Sequence, residues 1–125
     1  IAGGRDFNDY TLMKQKCSEI LRDLLPFYSN ETENVEIVSG GARGADRLGE
    51  TFAQEHSLRL KVFKAEWDKL GKIAGFVRNE QMAVYASQDH DLGVLIAFWD
   101  GKSEGTGNML DLAFRYDLKV YVVNY

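Results

Sequence analysis

The 125-residue chain is 45% apolar and 27% charged, which excludes a disordered polymer and gives one folded domain, residues 1–125, with room for a real core. Its net charge of −4 argues against broad, sequence-independent binding to a phosphate backbone but allows a local cationic pocket. No apolar run approaches the ~18 residues of a membrane span, no secretory leader is visible, and the single cysteine, Cys17, excludes an internal disulfide, so a cytoplasmic protein without a membrane partner is expected.

The chain opens at Ile1 inside a strand-like pattern, so further residues are expected before it. Ile1-Ala2 reads as the tail of a first strand that runs into Gly3-Gly4-Arg5-Asp6. An amphipathic helix is expected from about Asp9 to Leu25, capped by Asn8 or Asp9 and closed by Pro26. Met13, Cys17, Ile20 and Leu24 fall at helical spacing, which makes Cys17 a buried structural thiol rather than a nucleophile. Val35–Val38 reads as a short buried strand, Ala45 to about His56 as a helix, and Leu58–Phe63 as a strand. A loop from Lys64 to Gly71 precedes a helix from about Ala74 to Ser87. The run LGVLIAF, Leu92–Phe98, reads as a central strand buried on both faces. Thr106 is the expected N-cap of a helix ending near Tyr116, and Val120–Val123 the last strand.

This β-α alternation predicts an α/β fold with a mostly parallel five-stranded sheet and helices on both faces. Right-handed crossovers then bring every strand-to-helix loop to the carboxyl edge of the sheet. Four segments meet there: residues 3–8, 39–46, 64–74 and 99–106.

Most of the glycine lies in or beside those segments: Gly3, Gly4, Gly40, Gly41, Gly44, Gly71, Gly101, Gly105 and Gly107. Any one short turn calls for glycine in its own right, whereas three glycine-rich loops on one edge suit backbone N–H groups that approach a ligand. Arg5, Arg43, Arg47, Lys102 and Arg78 stand on or near the same edge. In an acidic protein this points to a small anionic ligand, although each arginine alone is as well explained as a surface charge. Arg78 opens a helix, where the dipole also favours anions.

Asp6, Asp46, Glu66, Asp100 and Glu104 stand beside these cations, able to accept ribose hydroxyls, to hold Mg²⁺ or to cap helices, with a structural part favoured for Asp46 in the first turn of its helix. The segment Ser103-Glu104-Gly105-Thr106-Gly107-Asn108 enters a helix and suits a phosphate. Trp67, Phe98 and Trp99 lie near the edge and are the candidates for stacking on a base, or else they close the end of the core. His56 and His90 form no site, no metal is assigned, and neither zinc spacing nor a Ser-His-Asp set is legible. The stretch VSGGARGAD, residues 38–46, fails both G-x-G-x-x-G and the Walker loop, because Ala42 stands at the second glycine and no Gly-Lys-Ser/Thr follows.

Taken in order, AGGRDF, VSGGARGAD, AEW, AGFVRNEQM and IAFWDGKSEGTGNM resemble the YspA/YpsA-related branch of the SLOG superfamily, over nearly the whole chain. That superfamily unites the DprA/Smf DNA-processing proteins with the LOG cytokinin-activating hydrolases. The resemblance implies a three-layer Rossmann-like fold with strand order 3-2-1-4-5 and a nucleotide-type ligand at the carboxyl edge. Gly3, Gly4, Arg5, Ser39, Gly40, Gly41, Arg43, Gly44, Arg78, Asn79, Ser103, Gly105 and Thr106 would serve its phosphate, and Asp6, Glu66, Trp67, Phe98 and Trp99 its ribose or base.

SGGARGAD resembles the S-G-x-A-x-G-x-D stretch of DprA, and RNEQM, residues 78–82, the R-K-x-x-M helix of LOG enzymes, whose arginine is catalytic. Gly105-Thr106 resembles the G-T of the LOG segment P-G-G-x-G-T-x-x-E. Asn108 and Met109 stand where that segment has glutamates, which leaves Arg78 and Glu66 as the catalytic candidates. The expected activity is therefore binding of a nucleotide or nucleotide-derived ligand, with or without Mg²⁺, as a sensor or processing module. A LOG-like hydrolase of an N-glycosidic or phosphate bond and DprA-like single-stranded DNA binding are the alternatives. Related proteins often dimerise, so a homodimer is compatible with the resemblance.

Overall fold

The computed structural model describes residues 1–28, 34–88 and 92–125. The elements are β1 (Ala2–Gly3), α1 (Tyr10–Tyr28), β2 (Glu36–Ser39), α2 (Ala45–Glu55), β3 (Arg59–Val62), α3 (Trp67–Leu70), a 3₁₀ turn (Gly71–Ile73), α4 (Ala74–Ser87), β4 (Val94–Trp99), α5 (Glu104–Arg115) and β5 (Lys119–Asn124). His90, expected ahead of the central strand, lies outside the described residues.

All three strand pairings are parallel: β1 with β4, β4 with β5, and β2 with β3. They form a three-stranded sheet in the order β1-β4-β5 and a separate two-stranded sheet, β2-β3. The single five-stranded sheet in the order 3-2-1-4-5 is thus corrected to two hydrogen-bonded groups. Both residues of β1 pair with β4. One bond, from Ile1 N to Val38 O at 3.0 Å, reaches from its start to β2.

β4 organises the core because its side chains alternate between two clusters. Ile96 and Phe98 join Met13, Cys17 and Ile20 of α1 and Phe52 of α2. Leu95 and Ala97 join Met82 and Ala83 of α4 and Met109, Leu110 and Ala113 of α5. The middle four residues of β4 are all buried, as a strand covered on both faces requires. Cys17 is 1% exposed, and burial pushes its thiol up to about 11, so it is an inert core group.

Several helix boundaries differ from the sequence expectation. Asp9 is the cap of α1, accepting the Leu12 N–H at 3.0 Å. The helix then continues through Pro26 instead of stopping at Leu25. Near a helix end the missing N–H forfeits a single i→i−4 bond. The segment expected as a loop from Lys64 to Gly71 holds α3, where Glu66 O accepts from Lys69 N at 3.1 Å and from Leu70 N at 2.9 Å. Helix α5 begins at Glu104, two residues ahead of the expected Thr106 cap. Asp100 Oδ1 sets this start by accepting the N–H groups of Lys102 and Ser103, both at 2.8 Å, which turns the chain early.

Candidate functional site

A cleft of about 750 Å³ opens at the carboxyl ends of β1 and β4. Its walls come from the β1–α1 loop (Gly4, Arg5, Asp6), the turn into α2 (Ala42, Arg43, Asp46), the segment ahead of α4 (Trp67, Lys72), α4 itself and the turn into α5. The floor is apolar, with Ala2, Met82 and Met109 all at least nine-tenths buried.

A hydroxyl, two carboxylates and the Gly4 carbonyl shape the turn of residues 39–46. Ser39 is fully buried; its hydroxyl donates to Glu50 Oε2 at 2.7 Å and accepts from Gly41 N at 3.1 Å. Asp46 Oδ2 accepts from Ala42 N at 3.1 Å. Gly44 has φ 81°, and a Cβ there would lie 2.3 Å from Gly4 O, so the position demands glycine twice over. The close approach lets Gly4 O accept from Ala45 N at 3.1 Å, which fastens the β1–α1 loop to the first residue of α2.

Arg78 crosses from α4 to this turn. Its Nη1 donates to Gly40 O at 2.5 Å and its Nε to Asn79 Oδ1 at 3.2 Å. Asn79, 6% exposed, spends its amide donors on α5, reaching Gly105 O at 3.1 Å and Asn108 Oδ1 at 3.0 Å. One side-chain amide therefore orients the arginine and fixes the first turn of α5 against α4. Thr106 is 4% exposed and its hydroxyl lies 3.4 Å from that of Ser103.

The lining cations are Arg5, Arg43, Lys72 and Arg78, and the lining carboxylates are Asp6, Asp46 and Asp100. Each carboxylate already serves the protein. Asp6 accepts the Tyr125 hydroxyl at 2.6 Å. Asp100 holds the turn into α5, and those backbone N–H groups keep its carboxyl below the ordinary value. Burial pushes the Asp46 carboxyl up, against the Ala42 N–H and the Arg78 charge, which act the other way. Among the described residues, Arg43 and Lys72 make no ion pair or hydrogen bond, so their charge is open to a ligand.

Of the residues singled out from sequence, Gly3, Gly4, Arg5, Asp6, Arg43, Trp67, Arg78, Asn79, Ser103, Gly105 and Thr106 line the cleft. Ser39, Gly40, Gly41 and Gly44 stand behind it and build the turn that presents Ala42 and Arg43. Glu66 faces away in a solvent-exposed contact with Lys69 at 3.8 Å. Phe98 is fully buried, its ring stacked on Phe7 with centroids 4.8 Å apart. Trp99 packs on the core, and its indole N–H donates to Ser103 O at 3.1 Å. Among the described residues no group of three or more His, Cys, Asp or Glu stands ready to hold a metal ion, and no helix is long and apolar enough to cross a membrane.

Sequence reasoning missed Lys72, Gly75, Phe76 and Met82 as lining residues. A signal existed: Gly75, Asn79 and Met82 sit at i, i+4 and i+7, one face of α4 beside Arg78. Val77, which shares helical spacing with Ala74 and Val84, lies off that face and is 36% exposed.

A family model described as the YspA, cpYpsA-related SLOG family matches residues 1–70. That match covers β1 through α3, including the glycine turn and Trp67, and stops short of Arg78 and α5. The chain is also 37% identical over 89 residues to the Gene 61 protein of Mycobacterium phage D29, an alignment spanning 67% of each chain. No solved structure matches it significantly.

Proposed function

This chain belongs to the YspA, cpYpsA-related SLOG family, and from that membership we propose that its carboxyl-edge cleft binds a nucleotide or nucleotide-derived small ligand, as a sensor or processing module. The observation that carries the reading is the lining of the cleft: four cations, with every lining carboxylate already engaged inside the protein. In a chain of net charge −4, four lining cations against three lining carboxylates, with Arg43 and Lys72 in no ion pair among the described residues, leave a local positive excess that suits phosphate. Arg78 and Arg43 would meet the phosphate beside the first turn of α5, where Gly105 and Ser103 line the cleft. Phe76, 45% exposed and also lining it, would offer an apolar face to a base. The cleft volume lies within the range of small-molecule sites, ~300–1,000 Å³.

Calorimetry of the purified protein with mono- and dinucleotides, ADP-ribose and cyclic nucleotides, with and without Mg²⁺, tests this reading, because phosphates commonly carry that ion. Saturable binding of one class is the expected result. No heat from any of them at about 1 mM ends the proposal. Chromatography of the same mixtures for free base reports the hydrolase alternative.

A further inference from the structure

Trp67 is 48% exposed at the cleft mouth, but its ring is not an empty platform. Arg5 Cζ lies over the indole, 5.8 Å from the ring centroid. The outer edge of the same ring reaches α4: a Cβ built on Gly75 would stand 3.3 Å from Trp67 Cη2 and 3.8 Å from Arg78 Nη2. The indole thus carries Arg5 over its face, and the Gly75 position borders both the outer edge of the indole and the Arg78 guanidinium. Both arginines line the cleft, and neither is held by an ion pair among the described residues. The holds are neutral: the indole face for Arg5, and Gly40 O and Asn79 Oδ1 for Arg78. A planar guanidinium resting on an aromatic face keeps its N–H edge free for an anion. Burial is the main influence lowering Arg78 from its ordinary value; Asp46 opposes it, and the nearby Arg5 charge adds to it. Two like charges in one cleft, with the buried Asp46 carboxylate a partial counter-charge to Arg78, form a site that an anion relieves.

We propose that Trp67 is a positioning residue that holds Arg5 on the side of the cleft where Arg78 is fixed, so that the two arginines form a clamp for a phosphomonoester or diphosphate group. The clamp deepens the nucleotide reading and rests on it for the remainder of the ligand, but it needs only the phosphate. A base stacked on the indole face that Arg5 covers would displace it, so holding Arg5 and stacking a base are separable parts for Trp67.

Pyrophosphate, which has no base, is the deciding probe, compared by calorimetry with a nucleoside diphosphate. Trp67→Ala weakens both by the same factor, about tenfold. Trp67→Phe, which keeps an aromatic face, restores most of the loss, and Arg5→Ala matches Trp67→Ala. Phe114→Ala, on the exposed last turn of α5, changes neither, and circular dichroism confirms that each variant is folded. If Trp67→Ala weakens only the nucleotide and leaves pyrophosphate untouched, Trp67 is a base platform and the clamp is overturned. Wild-type protein that binds no pyrophosphate at about 10 mM overturns it too. If pyrophosphate behaves as stated but no nucleotide binds more tightly, the clamp stands and the nucleotide reading falls.

Discussion

The guanidinium of Arg78 donates to the carbonyl oxygen of Gly40, 2.5 Å away, across 38 positions of sequence. The contact fits only because Gly40 has no side chain: a Cβ there would lie 2.8 Å from Arg78 Nη1 and from Asp46 Oδ2. Arg78→Ala removes the charge, the tie between α4 and the turn, and the acceptor's partner. Its affinity for a phosphate-bearing ligand is expected to fall by about 1.5–3 kcal/mol. Arg78→Lys should recover only part of that, because an ammonium cannot bridge Gly40 O and Asn79 Oδ1 in one plane. Calorimetric titration of the two variants beside the wild type checks both statements, and equal affinities for Lys and Arg would contradict the second.

Gly44→Ala should be strongly destabilising. Its φ of 81° is costly for any side chain, and the added carbon would sit 2.3 Å from Gly4 O. Strain and clash together predict a loss of at least about 2 kcal/mol. Urea unfolding measures it, and a shift of the midpoint smaller than that of an exposed control such as Gly101→Ala would count against this account of the turn. At Gly101 (φ 82°) an added Cβ meets nothing within 4 Å, so only the backbone strain remains.

Asp46 presents the opposite case, a residue whose replacement should stabilise. Its carboxyl is raised above 3.8 in the folded chain, chiefly by burial. The folded state therefore prefers the proton, and stability falls as pH rises from 3.8 through the folded value. Asp46→Asn keeps an oxygen for the Ala42 N–H and drops the buried charge. We expect the variant to be more stable than wild type at neutral pH by about 1 kcal/mol, and the gap to close as the pH approaches 4. Thermal melts across that interval decide it. Removing a negative neighbour of Arg78 should also tighten binding of a phosphate ligand.

Tyr125 carries a spectroscopic signature of the cleft rim. Burial and the hydrogen bond to Asp6 push its hydroxyl up to about 12 from 10.0. The protonated phenol is favoured on folding, so this contribution is complete below 10 and is lost as pH climbs toward 12. An ultraviolet or NMR titration should resolve it, and Asp6→Asn should move it partway back toward the ordinary value. A titration unchanged by that substitution would break the link.

The alternation of β and α segments makes the parallel pairing legible, and right-handed crossovers bring Arg5, Arg43 and Arg78 to one edge from the sequence alone. What stayed hidden depended on single hydrogen bonds and on shape. The early start of α5 follows from Asp100 Oδ1, whose turn-forming reach competes with a good Thr cap. The two-sheet arrangement depends on which backbone groups pair, which the spacing of apolar residues does not reveal. Phe98 read as an edge aromatic because it ends the apolar run, yet pleating alternation sends its ring to the α1–α2 side of the core. Phe76 gives no sequence signal of its own: an exposed aromatic on α4 reads as surface until the turn into α5 is placed opposite it.

The peptide around Gly4 ties together three parts of the molecule. Its N–H donates to Phe98 O at 3.1 Å, while its oxygen accepts from Phe7 N at 3.2 Å and from Ala45 N at 3.1 Å. The end of β4, the start of α2 and the β1–α1 loop thus share one rivet, with Arg5 as the next residue along. The spacing between the two glycine loops is therefore set by a single backbone peptide group, one residue away from a cation of the cleft.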